Sequence, residues 1–424
     1  MSSPSPRRRA LAALFVAAAA ILAPTLGAQA HIHEPDEARE HGLFLELAKP
    51  LHDDLTAAGV NVGLIYTGEA LTVLTGGRER GDVWLDNVDL LAGLDLKRLR
   101  DWEGASAQIY GIGNHGRAPS AAVGDLRGSS NLEAPSGWRL YEVWVEQQLA
   151  RGAASLKLGL YGVDTEFQII ETAAMSPHSS AGVSAAFGIA GRNGPSIFPF
   201  TGPGVRLWAG SEKDWYGQAA VTDGVPGELG DPHGVKVHLR TGEGLFAIAE
   251  AGYRSTEDHD RGAFTKAAVG MWEFTEPAPR LVDPGETRRR GGYLLAERQL
   301  SQESGAPEQG LAAFERASAA TAAVNVFSSS LETGVLYRGP LPGRDGDRVG
   351  VLVAHARGSS AFRATLAATG VPTTAAETVV ELSYRAQMLP WLTVQPLVQR
   401  VLDPGLDSRL GDAWIAGLRV STNF

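Results

Sequence analysis

From Asn61 to the carboxy terminus, apolar and polar residues alternate with a period of two. Such alternation marks strands with one face in an apolar environment and the other in a polar one. Val62, Leu64 and Tyr66 alternate with Gly63, Ile65 and Thr67, and Leu156, Leu158 and Leu160 with Ser155, Lys157 and Gly159. Val235, Val237 and Leu239 alternate in the same way with Lys236, His238 and Arg240. Near the end, Leu382, Tyr384, Ala386 and Met388 alternate with Glu381, Ser383, Arg385 and Gln387, and Leu392, Val394, Pro396 and Val398 with Thr393, Gln395, Leu397 and Gln399. The pattern predicts an all-β domain over 61–424. It also assigns Leu158, Val237, Tyr384 and Leu418 to the apolar face.

A soluble sandwich alternates too, with its apolar face inward. Two features favour the inverted arrangement of a transmembrane antiparallel barrel. The polar faces are long, often charged and present in nearly every strand. The connections are also asymmetric. Gly210 to Trp215, Gly242 to Gly244 and Leu389 to Trp391 read as tight turns, whereas 114–138, 161–203, 222–233, 273–290, 357–376 and 400–412 read as long connections. Short turns at one end and long loops at the other mark a membrane barrel, and closure leaves no strand edge unpaired where water is absent. The segments number about 17, but a single-chain barrel with both ends on one side needs an even count. The expectation is 16, with the surplus segment in 309–337, where small residues blur the pattern.

The amino terminus is of another kind. Arg7, Arg8 and Arg9 precede an apolar run from Ala10 to Ala23, and Ala28-Gln29-Ala30 follows. That is the layout of a signal peptide, and the run is too short for a membrane-spanning helix. Residues 1–30 are read as this leader and 31–60 as a periplasmic segment, rich in His, Asp and Glu. A short amphipathic helix is expected there through Leu45, Leu47, Leu51 and Leu55. Removing the leader takes the formal charge from −10 to −13, which disfavours a nucleic-acid partner. Cysteine is absent, so no disulfide or thiol chemistry contributes.

The final strand runs from Trp414 to Phe424. Trp414, Ala416, Leu418 and Val420 face one way and Gly417, Arg419, Ser421 and Asn423 the other. An amphipathic last strand ending in an aromatic residue resembles the signal by which the barrel-assembly machinery recognises its clients. Outer-membrane lipid would be the other partner.

The stretch 114–147 contains Asn114-His115-Gly116-Arg117, Gly124-Asp125-Leu126, Ser130-Asn131-Leu132-Glu133-Ala134 and Arg139-Leu140-Tyr141-Glu142-Val143-Trp144-Val145-Glu146-Gln147. With Asp164-Thr165-Glu166-Phe167, Pro203-Gly204-Val205-Arg206-Leu207, Leu341-Pro342-Gly343-Arg344-Asp345 and Pro390-Trp391-Leu392-Thr393-Val394-Gln395-Pro396, it closely resembles the carbohydrate-selective porin (OprB) family. Residues 254–330 carry none of these blocks. The resemblance implies a 16-stranded outer-membrane barrel that admits monosaccharides.

The residues point the same way. Glu142, Trp144 and Glu146 share a strand face, opposite Tyr141, Val143 and Val145. Carboxylates suit sugar hydroxyls and an indole suits the apolar face of a sugar ring, although Trp144 also fits an aromatic girdle at the membrane boundary. Arg206 and Trp208 repeat the theme, with Val205 and Leu207 outward. Lys157, Lys236, Arg240, Arg385 and Arg419 add positive lumen positions, and Glu69, Asp89 and Glu381 negative ones. A lumen with both signs favours neutral polar solutes over either class of ion. Two loops are candidates for narrowing the pore. One is 161–203, with Phe198-Pro199-Phe200; the other bears Arg117, Asp125, Arg127 and Glu133.

Alternative functions are a general or ion-preferring diffusion porin, an outer-membrane barrel enzyme, or a soluble periplasmic all-β binding protein. An enzyme needs a nucleophile or acid pair beside a histidine, and His238 has no such companion. His31 and His33, next to a newly freed amine, have donors suited to Cu(II), but the expectation is a plain polar tail. No metal and no cofactor are expected.

Overall fold

The computed structural model describes residues 51–424, apart from 212, 229, 232, 234, 236, 238 and 256–263. Residues 51–57 are helical; the rest of the expected amphipathic helix, the leader and His31 to His33 lie outside the described residues. The alternating segments form β1 (Val60–Thr75), β2 (Gly81–Asp95), β3 (Ala105–Gly116), β4 (Gly137–Leu149), β5 (Ala154–Tyr161), β6 (Gly202–Gly210), β7 (Asp214–Asp223) and β8 (Leu245–Arg254). They continue as β9 (Thr265–Pro279), β10 (Glu286–Gln299), β11 (Gly310–Ala320), β12 (Phe327–Arg338), β13 (Arg348–Gly358), β14 (Ala376–Leu389), β15 (Leu392–Leu402) and β16 (Ala413–Asn423). Each strand pairs antiparallel with its neighbours in sequence, and β1 pairs with β16, so the sheet closes on itself. Closure removes the open edges that an unpaired sheet would present. Among the described residues no helix is long and apolar enough to cross a membrane.

The even strand number agrees with expectation, but the surplus segment was elsewhere. Residues 309–337 hold two genuine strands, β11 and β12. Val235, Val237, Leu239 and Arg240 instead lie outside any strand, in the connection 224–244, and Lys236 and His238 are outside the described residues. Alternation alone cannot distinguish a paired strand from an extended loop. Here β7 finds its partner only from Leu245 onward. Gly242 to Gly244 is accordingly the end of a long loop rather than a tight turn. The long connection expected at 273–290 shrinks to 280–285, because Glu286 pairs with Pro279 and Arg288 with Pro277. Those prolines suggest a loop, since proline cannot donate to a ladder, but a strand end beside a register shift tolerates them.

The faces follow the alternation. Leu158, Val205, Leu207, Leu382 and Leu418 are exposed on the outside of the barrel, and Tyr384 lies in phase with them. Trp84, Trp138 and Trp414 stand at the loop end of this band, and Trp215 and Tyr253, 5.6 Å apart, at the turn end. One assignment differs. Tyr110 pairs with Glu142 but Gly111 with Leu140, so Tyr141 is the extra residue of a β-bulge. Tyr141 and Glu142 are therefore both buried inward, rather than on opposite faces.

The apolar core lies inside the barrel. Phe167, Ile170 and Phe187 of the connection 162–201 pack on the inner-wall residues Phe246, Trp272, Phe274, Tyr293 and Phe314. Across the lumen, Ala122 and Val123 of the connection 117–136 pack on Leu71, Val73, Leu85, Val401 and Ile415. Two loops thus fill much of the interior at the loop end.

Candidate permeation path and its constriction

Inward-facing carboxylates of the wall hold both loops. In the loop 162–201, the backbone N–H of Gly162 donates to Glu142 at 2.9 Å and that of Gln168 to Glu250 at 3.0 Å. Thr172 N donates to Glu297 at 2.9 Å, Ala185 N to Glu332 at 3.2 Å, and the Ser176 hydroxyl to Glu381 at 2.5 Å. These acceptors come from β4, β8, β10, β12 and β14, so the loop is tied along more than half of the barrel. Arg316 adds bonds to the carbonyls of Gln168, Ser180 and Gly182, balanced by Glu332 at 3.3 Å. In the loop 117–136, Glu377 accepts from Leu126 N at 3.0 Å and pairs with Arg127 at 3.1 Å. Glu69 accepts from Ser130 and pairs with Arg419 at 3.2 Å. Hydrogen bonds to charged acceptors are about twice as strong as neutral ones, so each tie is a firm one.

The candidate residues fall into two places. Glu142, Trp144, Glu146 and Arg206 come together on β4 and β6, at the base of the loop 162–201. Arg206 bridges Glu146 at 3.1 Å and Glu166, and Lys157 bridges Glu166 and approaches Glu146 at 3.6 Å. Trp144 faces inward and is only 7% exposed, so it is not a girdle residue. Its Nε1 donates to Glu142 at 3.1 Å, and the Lys157 ammonium covers its ring at 4.0 Å. Trp208 lies inward on β6, with the Arg254 guanidinium 5.9 Å from its ring. On the other side, Asp125, Arg127 and Glu133 are fastened within the loop 117–136: Asp125 accepts from Gly128 N at 3.0 Å and Glu133 from Ser130 N at 3.1 Å. Arg117 is exposed at the rim, 3.9 Å from Glu79.

In the loop 162–201, Asp164 and Glu166 titrate away from their ordinary range. Burial pushes Asp164 up to about 7; the bond from Phe198 N opposes this and the charge of Glu142 adds to it. Burial would also raise Glu166, but Lys157 and Arg206 together outweigh it and hold this carboxyl below its usual value.

Sequence reasoning did not find Glu250, Glu297, Glu332 and Glu377. The signal was present, since each is an acid at an inward position of a strand. Alternation places such an acid without showing what it meets.

A closed sixteen-stranded barrel with an apolar outer band, aromatic rims and loops folded into a charged interior is a porin of a bacterial outer membrane. The family described as carbohydrate-selective porin, OprB family, matches residues 80–424, and the chain belongs to it. It is 24% identical over 409 residues to Porin B of Pseudomonas aeruginosa, covering 88% of this chain and 89% of that protein. It is 23% identical to the putative porin QuiX of Acinetobacter baylyi, over 84% of this chain and 87% of the relative. A high-pH structure of Pseudomonas putida OprB has the same fold, with TM-score 0.80 at 20% identity over 89% of this chain and 97% of that one. The chain is therefore a channel rather than an enzyme, and small carbohydrates diffuse through it across the outer membrane. Its longest loops lie at one end of the barrel and its carboxy terminus at the other.

Proposed function

We propose that monosaccharides and similar small neutral carbohydrates pass through the space that the loops 117–136 and 162–201 leave free. The observation carrying this reading is the set of wall carboxylates that hold both loops inside the barrel. In it Glu142, Trp144, Glu146 and Arg206 act chiefly by fixing the base of the larger loop, with Glu146 the most accessible of the four to solute. Trp208 lies further toward the periplasm on the same wall. Asp125, Arg127 and Glu133 fix the smaller loop, and Arg117 meets solute at the entrance. Residues 1–30 serve as the export leader, and the last strand with Phe424 is the segment the barrel-assembly machinery reads, in a bilayer of outer-membrane lipid.

The test is swelling of liposomes holding the purified protein, with neutral sugars of increasing size. Rates that fall steeply from mono- to tri-saccharide support the reading. Equal rates across that series would show that the loops set no size limit and would overturn it.

A further inference from the structure

The outside of the barrel is not uniform. On β4, β5 and β6 the outward residues are bulky, with Leu140, Val143, Leu158, Val205 and Leu207 exposed. On β9, β10 and β11 they are small: Ala267 pairs with Ala296, and Gly292, Ala313 and Ala317 share that face. Two charged side chains stand in this shallow patch. Glu315 is the central residue of the eleven in β11 and is exposed outward, in phase with Ala313 and Ala317. Arg298 is exposed on the same face of β10, near its turn end. Glu315 is directly opposite Ala296 and Arg298 directly opposite Ala313, so the acid and the base are diagonal neighbours. They do not pair with each other, and neither side chain has a hydrogen bond or ion pair with any described residue. Elsewhere on the outside, charged side chains stand nearer the loop end, and several are paired there. Asp86 meets His115 at 2.8 Å, Arg288 meets Glu273 at 2.7 Å, and Arg400 meets Asp412 at 2.9 Å.

A carboxylate halfway along a lipid-facing strand lies where hydrocarbon offers it no hydrogen bond, and an ionisable group kept in that setting calls for a partner. Lipid tails cannot supply one, but a second copy of this chain can. Copies in one membrane share an orientation, so a rotation about the membrane normal relates them and keeps every residue at its depth. A twofold axis between β10 and β11 lays β10 of one copy against β11 of the other. Glu315 of each copy then meets Arg298 of the other, and two equivalent ion pairs use all four charges. Arg298 stands two residues, ~6.6 Å along the strand, nearer the turn end than Ala296, a step that its long side chain covers. The alanines and Gly292 let the two walls approach closely, as small residues do between membrane segments.

We propose that the outward face of β10 and β11 is the interface of a twofold dimer of this chain, held by reciprocal pairs between Glu315 and Arg298. The pairing is independent of what the lumen passes.

The test is cross-linking of the full-length chain in isolated outer membranes, with heat-modifiable gel mobility as the check on folding. The chain has no cysteine, so single cysteines report without background. Oxidation should convert Ala296→Cys to a covalent dimer and leave Leu158→Cys, on the bulky side, monomeric. Adding Glu315→Gln to Ala296→Cys should lower the dimer yield about tenfold, the scale of one charge-assisted contact, while the barrel still folds. In the same background, Glu315→Arg or Arg298→Glu alone sets like charges across the axis and should abolish the product. Co-expressing these two reversals with different tags should restore it as a heterodimer, because each chain then supplies the charge the other lacks. Pairing within one chain would give no such rescue, so a failed rescue between two folded reversals overturns the proposal. If the reversals do not fold, the Gln variant decides: an undiminished dimer yield overturns it. Equal cross-linking from Leu158→Cys, no dimer from Ala296→Cys, or capture there of a different protein does so too.

Discussion

Trp144 sits between an acid and a base: its Nε1 donates to Glu142 and its ring lies under Lys157. A cation over an indole contributes about 0.5–2 kcal/mol, more when desolvated, so the ring helps hold Lys157 toward Glu166. In Trp144→Ala the base of the loop should loosen. Single-channel recording should then show weaker block by glucose, with open conductance equal to or above wild type. An unaltered glucose block would remove Trp144 from the constriction. The outward residues make a separate prediction. Arg at Leu158 or Leu418, near mid-strand on the lipid face, should cost about 2–4 kcal/mol in barrel unfolding titrations. Arg at Ser421, an inward and half-exposed position, should cost much less. Equal costs would mean the faces are exchanged, as a one-residue slip would do. Ser383 and Gln395 also point inward but are not mild sites. Both are buried, and Gln395 donates to the carbonyl of Met175 in the loop.

At the scale of elements, the loop 162–201 is a plug held by carboxylates, and its seating should depend on pH. Asp164 has a raised value, so the folded loop favours its protonated form. Its contribution is complete below its ordinary value of 3.8 and is lost as pH rises to about 7. Glu166 has the opposite sign. Its pairing with Lys157 and Arg206 contributes above the ordinary carboxylate range and is lost in acid below it. Open conductance should therefore rise as pH is raised from about 4 through about 7, and Asp164→Asn should flatten that rise. A variant that keeps the full slope would assign it to another group. A second prediction concerns the ties along the wall. Glu297→Gln weakens the anchor of Thr172, which donates to it through both N–H and hydroxyl. Conductance noise should increase, and trisaccharides should swell liposomes faster than with wild type. Unaltered noise and sugar cut-off would mean the apolar contacts of Phe167, Ile170 and Phe187 suffice alone.

The whole molecule depends on closure. The carbonyl and N–H of Phe424 bond to Leu64 across the β1–β16 seam, and its ring stacks on Trp391 at 6.0 Å. The protein should fractionate with outer membranes and migrate differently on gels before and after boiling. Deleting Phe424 should lower the yield of the fast-migrating form without blocking export; an undiminished yield would make the terminal ring incidental. Much of this architecture was legible from the chain. A period of two identified the lipid face, and the outward positions of β4, β5, β6, β14, β15 and β16 fall where it placed them, apart from the Tyr141 bulge. Where it failed, at 235–240 and at the proline-marked end of β9, pairing decided the outcome, and pairing is not a local property.

The sequence by itself determined the barrel and its family, because lipid imposes one rule on every strand: apolar out, with all backbone groups paired. It also singled out the two loops that fold into the barrel. Only the tertiary structure decided what the inward residues do. Glu142, Glu250, Glu297, Glu332 and Glu377 look alike as inward acids, yet each meets loop backbone, while Arg385 meets none. Alternation specifies the side of a sheet on which a residue stands. What faces it across the lumen depends on how the loops 117–136 and 162–201 fold back, and that was settled by apolar packing against Phe246, Trp272 and Leu71 together with the carboxylate ties.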